Sequence, residues 1–274
     1  MSEFEITPPL FAILSGLIEE RAGLCYTLQD RELLTSKLSP RALELGFASL
    51  LDYYYFLRYD PESEREFEAL VNALVVNETF FFRELTPLTV MVTDFVAPRV
   101  RAGERPRIWC AACATGEEPL TLAMLLAEQG LLDRVELVAS DISSSALARA
   151  RSGEFSRRSL RHVPVPQLAE KWLTLHERHV SVAPALLQSI RWQQLNLIDA
   201  AAIEALGPMD WILCRNVLIY FRDETVARVV SLLSRQLRAG GALLVGVSES
   251  LLRFNAGLNC EEHGGVFTYR KAKA

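Results

Sequence analysis

The sequence Ile108-Trp-Cys-Ala-Ala-Cys-Ala-Thr-Gly-Glu-Glu-Pro119 passes from a short apolar run through a turn of small residues into an acidic helix start. Leu120–Leu132 continues as an apolar helix, and Val135-Glu-Leu-Val-Ala-Ser-Asp141 reads as a second buried strand ending in a carboxylate. Strand, turn, helix, strand is the repeating unit of a parallel α/β sheet. In such units ligands sit beyond the carboxyl ends of the strands, and an acid at the end of the second strand accepts hydrogen bonds from ribose hydroxyls. Asp141 stands at that place. It also precedes the helical Ala146–Ala150, so a helix N-cap role stays open beside the ribose role.

The turn argues against a phosphate ligand. Phosphate loops offer several glycines or a Lys at a helix N-terminus. Here one glycine, Gly116, is followed by Glu117 and Glu118, which repel a pyrophosphate and suit a ligand with positive charge. S-adenosylmethionine, with a sulfonium, an amine, a ribose and no phosphate, fits that chemistry. The plainer alternative is that acids favour the first turn of any helix. A nicotinamide-dependent dehydrogenase is disfavoured, because its three-glycine fingerprint is missing.

A chain of 274 residues, half of them apolar, can bury one or two cores. It has no apolar run near the roughly 20 residues that span a bilayer, and no signal-peptide pattern. Five scattered cysteines read as reduced thiols of a cytoplasmic protein. Cys110 and Cys113 have metal-site spacing but no second pair, so no metal is expected. His162, His176, His179 and His263 form no evident cluster. Residues 1–85 carry 15 acids against 7 bases, which speaks against nucleic acid binding there.

Residues 7–75 show helical spacing and no strand-rich stretch, so residues 1–76 are expected to form a small all-helical domain. Asn77-Glu-Thr-Phe-Phe-Phe-Arg-Glu84 reads either as a buried linker that places polar groups in a site or as a helix start capped by Asn77 or Thr79. Residues 77–106 form this linker and a leading helix, Leu88–Arg101. Residues 107–274 are a doubly wound α/β domain. Trp172–Val182 and Gln188–Asn196 suggest short strands of a small antiparallel insert at about 157–192. Met209–Cys214, Glu224–Leu237, Gly240–Val247 and Gly265–Arg270 are expected as strand, helix, strand and an antiparallel closing strand.

Five motifs in order, Asn77-Glu-Thr-Phe-Phe-Phe-Arg83, Ala114-Thr-Gly-Glu-Glu-Pro119, Ala139-Ser-Asp-Ile142, Ala148-Arg-Ala-Arg-Ser-Gly153 and Cys214-Arg-Asn-Val-Leu-Ile-Tyr-Phe221, resemble the chemoreceptor glutamate methyltransferase family, CheR, over nearly the whole chain. The resemblance implies a Rossmann-like S-adenosylmethionine methyltransferase domain that esterifies receptor glutamates in chemotaxis adaptation and releases S-adenosylhomocysteine. Carried over by motif, the cofactor-binding residues are Asn77, Thr79, Arg83, Glu117, Asp141, Asn196, Leu197, Arg215 and Asn216. Arg83, Arg215 and Tyr220 are the catalytic candidates, and an ion pair to a nearby carboxylate is the alternative for Arg215. The implied partner is the cytoplasmic helical bundle of methyl-accepting chemoreceptors, met by a cytoplasmic monomer recruited to membrane-bound receptor arrays without membrane insertion. The turn His176-Glu-Arg-His179 lacks the glycine of tether-dependent members, so no C-terminal tether peptide is expected.

The chemistry agrees with a carboxylate acceptor. A glutamate with an ordinary pKa of about 4.3 is already a nucleophile at neutral pH, so no general base is needed. Arg83, Arg215 or Arg99 is expected to attract the acceptor acid, with one hydrogen bond from Tyr220 or an arginine holding it. Arg31, Lys37, Arg41 and Arg58 are expected as outward cations, either meeting an acidic receptor or simply solvated. The competing functions are a methyltransferase for small molecules or RNA and a non-catalytic cofactor sensor.

Overall fold

The computed structural model describes residues 6–254 and 256–273. They form two compact units: the first holds the described residues up to Val76 together with Tyr220–Thr225, and the second holds Asn77–Ile219 and the described residues from Val226 onward.

The first unit is helical: α1 (Pro8–Ala22), α2 (Arg31–Glu44), α3 (Leu50–Tyr59) and α4 (Ser63–Leu74). Pro8 and Pro9 occupy the first turn of α1, where a missing N–H costs nothing, and Ser49 Oγ accepts from Asp52 N (3.1 Å) to start α3. Helical spacing brings Leu14, Ile18, Leu34, Leu38, Leu50, Leu57, Leu70 and Leu74 into one core. Three of the four cations expected to point outward have partners within the unit, although Arg58 stays exposed. Lys37 Nζ donates to the Ala73 carbonyl at the end of α4 (2.6 Å), and Arg58 pairs with Glu20. Arg41 pairs with Glu66, which also accepts from the buried Tyr53 hydroxyl (2.5 Å). Acids outnumber bases so heavily in this segment that most cations find a partner at home; Arg31 stays exposed.

The second unit opens with a helical run: α5 (Leu85–Val90), a π-helical segment (Met91–Val96) and α6 (Ala97–Arg101). Ala97 N–H donates to the Val92 carbonyl five residues back, just before Pro98, which has no N–H. There follow β1 (Arg107–Ala111), α7 (Glu117–Glu128), β2 (Glu136–Asp141) and α8 (Ser144–Ser152). Next come β3 (Glu154–Ser156), a 3-10 turn (Arg157–Leu160), α9 (Pro166–Trp172), β4 (Leu173–Leu175), β5 (His179–Val182) and α10 (Pro184–Gln188). The chain closes with β6 (Ile190–Gln194), α11 (Ala200–Ala205), β7 (Met209–Cys214), α12 (Asp223–Gln236), β8 (Leu237–Leu244), β9 (Leu258–His263) and β10 (Val266–Lys271).

Seven strands make one sheet in the order β6-β2-β1-β7-β8-β10-β9. The first five run parallel and β10 and β9 are antiparallel additions. This is a Rossmann-like α/β fold with a small antiparallel sheet, β3-β5-β4, carried between β2 and β6. Ile108, Cys110, Leu137, Ala139, Trp211, Leu213 and Leu244 from the central strands pack with Leu122, Met124 and Val92 from the helices.

The small sheet begins before the expected 157–192 and ends short of it, its strands running from Glu154 in β3 to Val182 in β5. Gln188–Asn196 reads as a strand of it, yet β6 pairs in parallel with β2 at the border of the main sheet. Only Ile190 of β6 is fully buried and its other residues are polar or partly exposed, so its sequence lacks the continuous apolar run of a central strand. β9 escapes notice for the same reason, being almost entirely exposed and polar. The β4–β5 turn closes without glycine, through His176 N donating to the His179 carbonyl (2.9 Å). The two rings stack with centroids 4.2 Å apart, so these histidines are a pair and not isolated groups.

Candidate active site

Register brings the motifs together. Ala111 aligns with Ser140 on β2 and with Cys214 on β7, so Ala112, Asp141 and Arg215 step off the three central strands side by side. Gln194 aligns with Asp141, which places Leu195, Asn196 and Leu197 at the same edge. The order of connection reverses between β1 and β7, and this switch point is where open α/β sheets hold ligands.

Asp141 is buried and fastens the first turn. Its carboxylate accepts from Ala114 N (2.8 Å) and Ser143 N (2.9 Å), and burial pushes its pKa up. It does not cap α8; Ser143 does, accepting from Ala146 N (3.1 Å). Glu117 opens α7 with its carboxylate buried between two hydroxyls, Thr115 (2.6 Å) and Ser159 (2.8 Å), and burial raises its pKa as well. Gly116 precedes it at φ +95°, and a Cβ there would lie 2.8 Å from Ala150 Cβ and 3.0 Å from the Trp192 ring. Only glycine gives both that backbone angle and that closeness.

The segment Asn77–Glu84 is a linker, since helix starts only at Leu85; neither Asn77 nor Thr79 caps it. Phe81 and Phe82 are buried, and their N–H groups donate to the Ser159 carbonyl (2.9 Å) and Thr121 Oγ1 (3.1 Å). Asn77 and Thr79 lie half-buried just ahead, and Arg83 donates to the Glu78 carbonyl (3.0 Å).

Arg215 is the ion pair that was its alternative. Its guanidinium, 1 % exposed, binds Glu84 (2.7 Å) and Glu118. Burial lowers the tendency of Arg215 to stay charged, but the two acids outweigh it and hold its pKa up. Burial raises Glu118 against the pull of Arg215, while Glu84 stays below the ordinary range because Arg215 outweighs its burial. The positive charge of Arg215 is thus spent, and only Nε is left, a buried donor with no protein partner. Arg99 is not at this edge. It binds Asp210 (2.7 Å) and Glu104 at the opposite end of the sheet, where Asp210 also accepts from Arg107 N. Tyr220 belongs to the first unit, its carbonyl accepting from Cys25 N (2.9 Å).

Sequence reading misses Glu84, Ser159 and Glu249 as site residues, and Glu118 meets Arg215 in place of a ligand. Glu249 ties the β7 and β8 loops together: its carboxylate accepts from Asn216 N (2.7 Å), Leu218 N (2.9 Å) and Gly246 N (2.8 Å). Gly246 leaves room for this, since a Cβ there would stand 2.5 Å from Asn216 Nδ2. Like Asp141, Glu249 is an acid shortly after a buried strand, a signal available in the sequence; Ser159 reaches the site only through tertiary folding. The non-glycine residues at positive φ among the described residues are Phe82, Glu84, Ala112, Ala114 and Asn216. All lie in the linker or at this sheet edge, and such conformations persist only where the surroundings hold them.

The edge therefore carries five buried or half-buried carboxylates, Glu84, Glu117, Glu118, Asp141 and Glu249, and one arginine already neutralised. Phosphates would meet net negative charge here. A sulfonium, an amine and ribose hydroxyls suit the acceptors Glu117 and Asp141, and a carboxylate suits the orphaned Nε of Arg215. Among the described residues no cluster could hold a metal, and no helix is long and apolar enough to cross a membrane.

Comparison with known proteins agrees with this geometry. The family described as "CheR methyltransferase, SAM binding domain" matches residues 77–263, and "CheR methyltransferase, all-alpha domain" matches residues 9–75. Chemotaxis protein methyltransferase 2 of Vibrio cholerae is 34% identical over 261 residues, covering 93% of this chain and 90% of that protein. The chemotaxis protein methyltransferase of Klebsiella aerogenes is 35% identical, covering 88% of this chain and 82% of that protein. That of Escherichia coli is 34% identical, with coverages of 88% and 84%.

Proposed function

We propose a function that starts from one fact: this chain belongs to the CheR methyltransferase family. It is an S-adenosylmethionine-dependent methyltransferase of chemotaxis, and its acceptor is the side-chain carboxylate of glutamates on the cytoplasmic helices of chemoreceptors. The carrying observation is the acidic edge where Asp141 and Glu117 are held buried by N–H and hydroxyl donors.

When bound, S-adenosylmethionine supplies a methyl group made electrophilic by a sulfonium. Asp141 would take the ribose hydroxyls, Glu117 and the linker residues Asn77, Thr79 and Arg83 the amino-acid end, and Asn196 and Leu197 the adenine. Arg215 would use its free Nε on the cofactor carboxylate and hold Glu84 and Glu118 in place. The acceptor glutamate needs no deprotonation, so the protein's task is alignment and exclusion of water. Arg83 is the remaining cation of the linker that can draw the acceptor acid in, and Tyr220 is proposed as its single hydrogen-bond donor. A single donor orients a carboxylate without the loss of nucleophilicity that a bidentate arginine brings.

Mass spectrometry of receptor fragments incubated with enzyme and cofactor tests this reading. One added methyl group on glutamate is expected, and transfer falls in Tyr220→Phe while cofactor affinity holds. Methyl transfer to small molecules or RNA with none to receptor glutamates overturns the acceptor assignment.

A further inference from the structure

Arg149, Arg151, Arg157, Arg158 and Arg161 crowd one short segment in which Glu154 is the one acid. Residues 149–161 thus carry a net +4, leaving −9 for the rest of a chain whose net charge is −5. All five arginines are exposed. Their internal partners leave most of that charge in place: Arg151 donates to the Trp192 carbonyl and Arg157 to the Glu177 carbonyl, and a carbonyl cancels no formal charge. Arg161 pairs with Glu78, but both are solvent-exposed and the pair is weak.

The segment adjoins the active site. Ser159, between Arg158 and Arg161, is the residue that donates to Glu117 and accepts from Phe81 N. Arg161 lies over the Phe80 ring at 4.6 Å, and Arg83 lies over the same ring at 5.8 Å. Burial still raises the pKa of Glu117, and the Arg149 guanidinium offsets a small part of that rise.

We propose that residues 149–161 form a cationic lip that captures the acidic segment carrying the acceptor glutamate. This rests on the glutamate-methylating reading above. An enzyme otherwise at −9 repels a partner rich in carboxylates, and a basic patch beside the crevice reverses that repulsion where the acceptor must enter. Of the four outward cations expected on the helical unit, Arg41 and Arg58 have carboxylate partners, whereas five arginines crowd into residues 149–161. Its contacts are the same before and during methyl transfer, so they act on KM and on encounter rate, with kcat spared. Each ester formed removes one negative charge, so a methylated segment leaves more readily than an unmethylated one.

The test uses the full chain with Arg157→Glu and Arg158→Glu combined, neither side chain being placed in the cofactor site or against Glu117. Binding and methylation of a soluble cytoplasmic receptor fragment are followed across about 0.05–0.3 M salt. Calorimetry with S-adenosylhomocysteine serves as the folding control and is expected to be unchanged. The variant is expected to raise KM about tenfold, keep kcat within about twofold and flatten the salt dependence of kcat/KM. Unchanged KM and unchanged salt dependence overturn the lip. So does loss of sedimentation with phosphatidylserine vesicles while fragment binding persists, which would make the patch a lipid contact. If the wild-type chain binds the fragment in a salt-dependent, Arg157/Arg158-dependent way but transfers no methyl group to it, the lip stands and the glutamate reading falls.

Discussion

Removing Arg215 exposes what holds the active-site edge together. In Arg215→Ala the carboxylates of Glu84 and Glu118, whose side chains are only 18% and 16% exposed, lose the guanidinium between them. Breaking a buried pair this way costs about 3–5 kcal/mol, because the charge left behind is neither solvated nor paired. Glu118 bears most of it, since burial already raises its pKa with Arg215 present. In the variant, folded Glu118 keeps a proton that the unfolded chain releases above its ordinary pKa of about 4.3. The folded state then binds more protons, so stability falls as pH rises and recovers toward acid, by up to about 1.4 kcal/mol per pH unit for this group. Adding Glu118→Gln to Arg215→Ala removes the stranded charge and is expected to restore about 1–3 kcal/mol. Trp109, Trp172, Trp192 and Trp211 all lie in the second unit, so tryptophan fluorescence during urea unfolding reports on that unit alone. A loss below about 1 kcal/mol with no dependence on pH between about 5 and 8 refutes the reasoning.

Gly116→Ala forces a Cβ into a left-handed backbone angle and against Ala150, so the second unit should lose about 2–4 kcal/mol, and an unshifted urea midpoint contradicts the packing described. Glu249→Gln replaces an ionised acceptor of three backbone donors by an amide; exchange at the Asn216, Leu218 and Gly246 amides should quicken about tenfold or more while β1 amides stay protected, and equal exchange dismisses the tie. Glu117 and Asp141 are raised by burial, so cofactor affinity should weaken as pH falls through their raised values, before ordinary carboxylates titrate. The sign follows because protonation removes the negative charge that suits a cation; calorimetric affinity that stays flat until the ordinary carboxylate range contradicts it.

Most of the α/β framework was legible because its signals are local. A buried run such as Met209–Cys214 announces a central strand, and Gly116 before two acids announces the turn. Glu117 and Asp141 were legible as acids following strand and turn, though not the hydroxyls and N–H groups they accept from. The less legible parts depend on what lies across space. Ser159 meets Glu117 42 positions away in sequence, and Arg215 meets Glu84 131 positions away. Nothing near Arg99 in sequence reveals Asp210, which draws it to the far end of the sheet. β6 and β9 were misread or missed because these border strands lack the continuous apolar run of a central strand.

The central claim is that the acidic edge at Glu117 and Asp141 holds a cationic nucleoside with no phosphate. Titration calorimetry of the wild-type chain and of Asp141→Asn with S-adenosylmethionine and with NADH tests it most directly. The account predicts one S-adenosylmethionine per chain, about tenfold or more weaker in Asp141→Asn, and no heat from NADH. Equal affinity in the two proteins, or uptake of NADH in place of S-adenosylmethionine, contradicts it.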